Sequence, residues 1–340
     1  MRVTIKDIAN RLNLSTATVS KVLSGRESAF ISEATRQKVL ETAREMGYRP
    51  NRVARALVTG KTDIISLWAE TLAPYHAEVV NLLMDQMRPY GYELIVTDIV
   101  KHPDWRAYCE KFPQWQVDGI IALDSPRCVR VYREANPGVH TPLVSIGAYY
   151  AEEGDFVGVD LYTGVTEAVQ HLLQVGCRRP AYFVCEYGNR VGDARYDAYT
   201  AVMQQAGIEP LYIVAAHSSR PSARQRMHEY LDEHPCPDGL FCFNDEMAIG
   251  AYRALCERGI RVPDEVAIVG CDGIMDTEYL ERPLSTVVQP VAEMCRLGWE
   301  FLHRRLENPS IAPQQALLKA HLVVRESSRK NGNASADTLP

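Results

Sequence analysis

The chain has 340 residues and a net charge of −6, with 46% hydrophobic and 24% charged residues, which is typical of a globular protein with at least two domains. No apolar run approaches the roughly 18 to 20 residues that cross a bilayer, and residues 1–10 lack the apolar core of a signal peptide. The nine cysteines are scattered without a Cys-x-x-Cys pair, which argues against a disulfide framework and a zinc site. We therefore expect a cytoplasmic protein with reduced thiols, no metal and no cofactor.

Charge is divided unequally along the chain. Residues 1–60 contain 11 Lys and Arg against 5 Asp and Glu, a net of +6, whereas the remainder contains 26 against 38, a net of −12. A small basic segment joined to an acidic body is expected when one domain binds a polyanion and the rest has another role.

The basic segment has the pattern of three short helices. Thr4 offers an N-cap for the first helix, which we predict over residues 5–12. Ser15 offers an N-cap for a second helix, and Ser32 begins a third that ends near Gly47. Two short helices joined by a turn of three or four residues indicate a helix-turn-helix, and the third helix completes a small core.

The outward positions of the second helix are small or polar, which suits a helix that enters a major groove about 12 Å wide and reaches base edges. These positions are Thr16, Ala17, Ser20 and Lys21. A three-helix cap without any ligand is the alternative. A solvated face would more often be crowded with Glu and Lys, so we favour DNA binding.

Linked motifs in this segment resemble the head and hinge of lactose-repressor-type (LacI/GalR) transcription regulators. The motifs are Thr-Ile-Lys-Asp-Ile-Ala at 4–9, Ser-Thr-Ala-Thr-Val-Ser-Lys-Val-Leu at 15–23, Gly-Tyr-Arg-Pro-Asn at 47–51 and Ala-Arg-Ala-Leu at 54–57. The resemblance implies that Thr16, Ala17 and Lys21 contact bases. Lys21 stands where Arg is common in the family, and Lys does not form the bidentate guanine contact of Arg.

Residues 50–62 are predicted to be a hinge whose structure depends on DNA, because about two helical turns are too short to be stable alone in water. The two arginines, Arg52 and Arg55, suit DNA phosphates, Ala54 permits close approach, and Asn51 is a further expected DNA contact. Leu57 is an apolar wedge of the kind that opens a base step from the minor groove. The resemblance implies that paired hinge helices form on DNA with Leu57 as the lever, and a plain interdomain linker is the alternative.

From residue 63 onward, short apolar runs alternate with helical segments, which predicts parallel sheets covered by helices in two lobes. The predicted strands are 64–68, 92–96, 119–123, 143–146, 181–184, 212–215, 239–242 and 266–269. The predicted helices are 77–90, 164–175, 194–206, 246–258 and 291–306. A cleft at the carboxyl ends of the strands is the expected place for a small ligand.

The resemblance extends over residues 3–327 and implies an α/β two-lobed domain similar to periplasmic sugar receptors. The pocket positions of the family correspond to Arg195, Asn244, Asp272 and Gln289. A guanidinium, a carboxylate and two carboxamides together bracket vicinal hydroxyls. The structural alternatives are a loop cap for Asp272 and a helix N-cap for Asn244.

Two departures from the family pattern bear on the effector. Gly147 occupies a place where many sugar-responsive members carry Asp, which removes a hydroxyl acceptor. Tyr75 and His76 replace the usual aromatic pair after the first strand. With Arg195 they suit a carboxylate or phosphate, although His76 is equally a surface histidine. We expect a sugar, a sugar acid or a sugar phosphate as the effector.

The expected fold is thus an N-terminal three-helix helix-turn-helix domain followed by a two-lobed periplasmic-binding-protein-like domain with parallel sheets. The expected divisions are a DNA-binding domain over 1–49, a hinge over 50–62, an effector-binding and dimerisation domain over 63–326 and a disordered tail over 327–340. The tail has no leucine heptad that would join dimers, so we expect a homodimer.

These features predict a repressor of a carbohydrate catabolic operon, in which effector binding between the lobes alters the affinity for operator DNA. Whether the effector induces or corepresses is left open. The alternative is a doubly wound α/β enzyme with an N-terminal helical cap, for which the sequence offers no nucleophile or cofactor motif. A receptor-like binding protein would require a signal peptide and no basic head.

Overall fold

The computed structural model describes residues 3–23, 30–49, 56, 60–69, 73–98, 104–114 and 116–330. The chain separates into two compact units, residues 1–62 and 63–340. The predicted hinge residues Asn51, Arg52, Ala54 and Leu57 lie outside the described residues. The hinge helix therefore remains a prediction.

The first unit contains three helices, α1 (Ile5–Leu12), α2 (Thr16–Leu23) and α3 (Glu33–Glu45). Each predicted N-cap is confirmed: Thr4 Oγ1 accepts from the Asp7 amide, Ser15 Oγ from that of Thr18, and Ser32 Oγ from that of Thr35. These caps satisfy amide groups that the first helical turn leaves without a partner.

The core of this unit is small and is made by all three helices. Its buried residues are Ile8, Ala9, Val19, Val22, Val39 and Ala43. Val19 and Val22 lie three positions apart on α2, so one face of α2 packs inward and the opposite face is exposed to solvent.

The first sheet of the second unit is entirely parallel. It consists of β1 (Ile64–Ala69), β2 (Glu93–Asp98), β3 (Gly119–Leu123), β4 (Leu143–Gly147), β5 (Asp155–Asp160) and β11 (Gln315–Lys319), in the order β11-β5-β4-β3-β1-β2. The helices that follow or precede these strands are α4 (Pro74–Met87), α5 (Trp105–Lys111), α6 (Pro126–Ala135) and α11 (Val291–Glu307). β3 and β4 are buried along their whole length, as expected for strands covered on both faces.

The second sheet is parallel except at one edge. It consists of β6 (Pro180–Cys185), β7 (Leu211–Ala215), β8 (Gly239–Cys242), β9 (Ala267–Asp272), β10 (Ser285–Val288) and β12 (His321–Val323), in the order β12-β10-β9-β8-β6-β7. Its helices are α7 (Leu161–Gln174), α8 (Ala194–Gln205), α9 (Arg220–Glu233) and α10 (Asp245–Glu257). β12 is antiparallel to β10.

The chain crosses between the two sheets three times, after Asp160, at Gln289 and at Ala320. α7 follows β5 but packs on β10 and β12, and α11 follows β10 but packs on α4, β4 and β5. We define lobe 1 as residues 63–160 and 291–319, and lobe 2 as residues 161–288 and 321–330. β12 is antiparallel because β11 runs toward the crossover and the chain then enters the second sheet from that same end.

The beginning of α4 differs from the prediction. Pro74 occupies the first turn, so the helix starts three residues earlier than the predicted 77–90. Proline suits this position because its fixed φ is helical and it has no amide hydrogen to leave without a partner. Tyr75 and His76 therefore belong to the first turn of a helix rather than to a loop.

The prediction of a disordered tail from Ser327 is wrong for residues 327–330. Ser327 and Ser328 are fully buried. The Ser327 hydroxyl donates to the Ile268 carbonyl at 2.6 Å and accepts from the Ser285 amide at 2.8 Å. The short hydroxyl side chains thus satisfy backbone groups near the edge of the second sheet. Residues 331–340 lie outside the described residues.

Among the described residues, no helix combines the length and the apolar character needed to span a bilayer.

Candidate functional site

The four residues predicted to meet DNA lie together on α2. Thr16, Ala17, Ser20 and Lys21 are all exposed, on the side of the helix away from the core. The helix is short, and its outer face carries no large side chain that would keep the backbone away from a surface. This geometry suits entry into a major groove.

The second candidate site lies where the lobes face each other at the carboxyl ends of their strands. Tyr149 follows β4 of lobe 1, and Asp272 ends β9 of lobe 2. Arg195 lies in the first turn of α8, and Gln289 lies at the second crossover. Strand ends of parallel sheets meet at one edge, which brings residues that are distant in sequence into one cleft.

Arg195 is at the centre of this cleft, and only 5% of its surface is exposed. Its Nη1 donates to the Tyr149 hydroxyl at 3.1 Å, and its Nη2 lies 3.6 Å from Asp272 Oδ1. The guanidinium also lies over the Phe243 ring, 4.4 Å from its centroid. Its Nε is buried and makes no hydrogen bond to the described residues, which leaves one donor of the guanidinium without an acceptor there.

Asp272 adopts an uncommon backbone conformation, with φ of +126°. Outside glycine such a φ is strained and is concentrated at functional sites. The carboxylate accepts from Gln289 Nε2 at 2.9 Å. Burial raises the pKa of Asp272 to about 8, with a further increase from Asp245 and Asp124, against the lowering effect of Arg195.

Tyr75 extends this chain of contacts to lobe 1. Its side chain is buried, and its hydroxyl donates to Gln289 Oε1 at 3.4 Å. His76 packs edge-on against the Tyr75 ring, with centroids 5.3 Å apart. The structure thus brings Tyr75, Gln289, Asp272 and Arg195 into one connected set, with His76 next to it.

Asn244 is engaged in local structure. Its Oδ1 accepts from the Met247 amide at 2.9 Å as the N-cap of α10, and its Nδ2 donates to the Ser218 carbonyl at 3.3 Å. These bonds match the structural alternative for Asn244, and its contact with an effector remains a prediction. The adjacent Asp245 is fully buried and accepts from the Gly273 amide at 2.7 Å, which fixes the loop that follows Asp272.

Sequence analysis missed Asp124, which follows β3 directly. Its φ is +48°, and its Oδ1 accepts from the Tyr149 amide at 2.8 Å. Burial raises its pKa to about 6. A Cβ added at Gly147 would overlap the Asp124 carboxylate. The Asp124 carboxylate therefore occupies the space that a side chain at position 147 would take, and a carboxylate directly after a buried parallel strand is the signal that would have identified it.

Sequence analysis also missed Tyr149 and Asp193. The Tyr149 hydroxyl donates to Asp193 Oδ2, while Asp193 Oδ1 accepts from the Arg195 amide at 3.0 Å as the N-cap of α8. Asp193 is 1% exposed. No local pattern marks Tyr149, since the partners of its hydroxyl are 44 and 46 positions away.

Within the described ranges, no three His, Cys, Asp or Glu side chains are arranged to hold a metal ion. A helix-turn-helix unit joined to a two-lobed binding domain defines the class of ligand-responsive, DNA-binding transcription regulators. The sequence model for bacterial regulatory proteins of the lacI family matches residues 4–51, and a model for periplasmic binding protein-like domains matches residues 169–328.

Known proteins that resemble the whole chain agree with these matches. The ribose operon repressor of Haemophilus influenzae is 30% identical over 329 residues, 95% of this chain and 98% of the relative. The transcriptional regulator DegA of Bacillus subtilis is 30% identical over 337 residues, 96% and 98% of the two chains. The chain belongs to the lacI family of bacterial regulatory proteins.

A solved structure of the lac repressor dimer, bound to operator and the anti-inducer ONPF, shares the fold. Its TM-score is 0.82 at 22% identity, and the match covers 96% of this chain and 99% of that chain. The predicted fold class is therefore confirmed. Because members of this family are transcription regulators, the alternative of an α/β enzyme is not favoured.

Proposed function

We propose that the protein is a cytoplasmic, homodimeric repressor of a carbohydrate catabolic operon and not an enzyme. In this proposal α2 binds operator DNA, and an effector bound between the lobes alters the affinity for the operator by shifting the lobe arrangement. The name of the Haemophilus influenzae relative, a ribose operon repressor, supports a carbohydrate operon.

The domain roles and site residues follow the same proposal. Residues 1–49 bind DNA, residues 50–62 form the hinge, and residues 63–326 bind the effector and dimerise. The DNA contacts are Thr16, Ala17, Ser20, Lys21, Asn51, Arg52, Ala54 and Leu57. The effector contacts are Tyr75, His76, Arg195, Asn244, Asp272 and Gln289, and we add Asp124.

The observation that carries the effector site is the buried Arg195 guanidinium between the lobes, with its Nε left without a hydrogen bond among the described residues. A buried N–H without an acceptor costs free energy, about 1 to 3 kcal/mol, unless a ligand or water supplies one. A sugar oxygen is such an acceptor, and the neighbouring carboxyl groups are partners for sugar hydroxyls.

The charges of the cleft favour an uncharged sugar over a sugar acid or a sugar phosphate. Three carboxyl groups interact electrostatically with Arg195: Asp272 lies 3.6 Å from its guanidinium, and Asp193 and Asp124 are close enough to influence it or be influenced by it. Burial raises the pKa of Asp272 to about 8 and that of Asp124 to about 6, which means that the cleft disfavours negative charge. An anionic effector would have to lose its hydration in the same surroundings, whereas a neutral polyol does not carry this cost.

Exposed apolar side chains on both lobes support a homodimer. β2 is an edge strand of the first sheet, and its Ile95 is 47% exposed. On lobe 2, Met275 and Tyr279 are 72% and 79% exposed. Apolar edge strands and apolar patches are normally covered by a partner.

The test uses the full-length chain in two steps. A mobility-shift selection with genomic fragments identifies the operator, and each bound fragment is then titrated with neutral sugars and with the matching sugar acids and phosphates. We expect specific binding that a neutral sugar changes and its acid does not. A chain that selects no fragment, or that turns over the sugar, would contradict the proposal.

The substitution Lys21→Ala tests whether Lys21 contacts a base or a phosphate. If Lys21 contacts a base, the substitution changes the preference at one base pair of each half-site by about 1 to 3 kcal/mol. Equal weakening on all sequences would instead make Lys21 a phosphate contact. Selection on randomised operators measures the difference.

A further inference from the structure

Tyr149 connects the two lobes through its hydroxyl. It follows β4 of lobe 1, whereas Asp193 and Arg195, its partners, lie at the beginning of α8 in lobe 2. The hydroxyl donates to Asp193 and accepts from Arg195 Nη1 at 3.1 Å. One oxygen atom of lobe 1 therefore lies between a carboxylate and a guanidinium of lobe 2.

Both partners of this hydroxyl are held rigidly in lobe 2. Asp193 also caps α8 through the Arg195 amide, and Asp193 and Arg195 are only 1% and 5% exposed. Burial raises the pKa of Tyr149 well above its usual value, so the phenol keeps its proton and donates to the carboxylate. Hydrogen bonds to ionised groups in buried surroundings are about twice as strong as neutral ones.

We propose that Tyr149 is an interlobe latch, a positioning residue that holds the lobes together before an effector binds. The role of the latch rests on the proposed function: when the lobes are already held together, less of the effector's binding free energy is needed to bring them together. The latch itself is a property of the chain without effector or DNA.

The latch depends on the hydroxyl of Tyr149 rather than on its ring. The ring packs edge-on against Tyr187, with centroids 5.8 Å apart, and lies 5.7 Å below the Arg195 guanidinium. A phenylalanine keeps both ring contacts. Opening of the lobes about their crossovers would break the hydroxyl bonds first, because such bonds weaken steeply with small changes in length and angle.

The second contact of this kind, between Tyr75 and Gln289, has a different position. Gln289 lies at a crossover, where a hinge motion displaces atoms least. Asp193 and Arg195 lie away from all three crossovers in sequence, in the loop and helix that follow β6. Loss of the Tyr149 hydroxyl should therefore affect lobe separation more than loss of the Tyr75 hydroxyl.

The test measures the distance between the lobes by pulsed electron paramagnetic resonance on the full-length chain without ligand. One spin label is attached to the exposed Cys236 of lobe 2 and one to Glu134→Cys on the exposed end of α6 in lobe 1, with Cys256→Ser removing the other exposed thiol. Tyr149→Phe is compared with Tyr150→Phe, whose ring stacks on Phe156 within lobe 1 at 4.7 Å.

We expect Tyr149→Phe to shift the distance distribution to longer and broader values, and Tyr150→Phe to leave it unchanged. Asp193→Asn retains an acceptor for capping α8 but removes the charge, so it should give a smaller shift in the same direction. An unchanged distribution in Tyr149→Phe, or an equal shift in Tyr150→Phe, would overturn the latch. A chain that binds no operator and no sugar would overturn the proposed function and leave this measurement interpretable.

Discussion

The two candidate surfaces place charged and polar groups in opposite environments. On α2 the groups are exposed to solvent and belong to one helix of eight residues. In the cleft, Asp124 follows β3, Asp272 ends β9, and Asp193 and Arg195 stand at the beginning of α8; all four are at least partly buried, and Arg195 contacts Asp193 and Asp272. DNA affinity should therefore depend on salt and on single side chains. Effector affinity should depend instead on how far the cleft groups are buried and on the bonds between them.

The largest expected effect is the salt dependence of operator binding. If the dimer neutralises six to ten phosphates, operator affinity falls by about 10³ to 10⁵ between 50 and 200 mM salt. The affinity of the identified sugar should change by less than about threefold over the same range, because buried groups are screened little. Titrations at four salt concentrations measure both, and similar slopes would remove the distinction between the two surfaces.

Arg195→Ala should have the next largest effect. It leaves the buried Asp193 carboxylate without its cation and removes the guanidinium that lies 3.6 Å from the Asp272 carboxyl group, which costs about 3 to 5 kcal/mol of the free energy of unfolding. Urea denaturation measures this cost. Arg190→Ala is the matched control, since Arg190 lies in the loop that precedes α8, is exposed and stacks on Tyr187 at 4.5 Å. We expect the control to change the free energy of unfolding by no more than about 0.5 kcal/mol. Equal losses in the two variants would mean that the charges of the cleft are not shielded from solvent.

Asp272→Asn should change how stability depends on pH. Burial raises the folded-state pKa of Asp272 from 3.8 to about 8. The folded protein therefore keeps a proton that the unfolded chain releases, and the free energy of unfolding falls as pH rises from about 4 to about 8. The stability of the Asn variant does not fall in this way, so we expect it to gain about 4 kcal/mol over the parent between pH 5 and pH 9, at about 1.4 kcal/mol for each pH unit up to the folded-state pKa.

The control for this pH series is Glu134→Gln, which alters an exposed carboxylate of lobe 1. Its stability should follow that of the parent at every pH. If the free energy of unfolding of Asp272→Asn has the same pH dependence as that of the parent, Asp272 is ionised in the folded protein. The cleft would then be more polar than the burial of Asp272 suggests.

The smallest expected effect concerns Gly147. Gly147→Ala places a methyl group against the Asp124 carboxylate at a residue with φ of +113°, and we expect a loss of about 2 kcal/mol of stability. Gly192→Ala is the control, because φ is +89° there and no atom lies within 4 Å of the added carbon. The control should lose only about 1 kcal/mol. In the double variant Asp124→Gly and Gly147→Ala, removal of the Asp124 side chain should cancel the part of the Gly147→Ala loss that comes from the contact. If the stability losses of the two single variants simply add, the contact is disproved.

The parts of the fold that could be predicted are those whose signal is local. α1 begins and ends at the predicted residues because a capping box at Thr4 and Asp7 and the left-handed Asn13 fix its two ends. The central strand β3 matches the prediction because it is apolar throughout. α9 was not predicted because only Ala223, Met227 and Tyr230 of its 14 residues are buried, which leaves a weak apolar stripe.

The residues of the two candidate sites also divide into those with a local signal in the sequence and those without one. The α2 residues were predicted because one helix and one exposed face define them. Arg195, Asp272 and Gln289 were identified through the family resemblance, and the structure adds that they bond to one another. Tyr149 was missed because the partners of its hydroxyl lie in the other lobe, which no spacing along the chain reveals. Asp124 was missed although its position directly after a buried parallel strand is a usable signal.

The three crossovers have a consequence for how the protein is made. Lobe 1 is the first lobe to leave the ribosome, yet it is completed only by α11 and β11, which begin at Val291 and Gln315. A nascent or truncated chain that ends before Val291 carries all of α1, α2 and α3 but leaves β5 as an uncovered edge and the surface under α11 exposed. Such a fragment retains the elements proposed for DNA recognition without a finished cleft. Rapid proteolysis of incomplete chains would therefore protect the cell from a repressor that cannot respond to its effector.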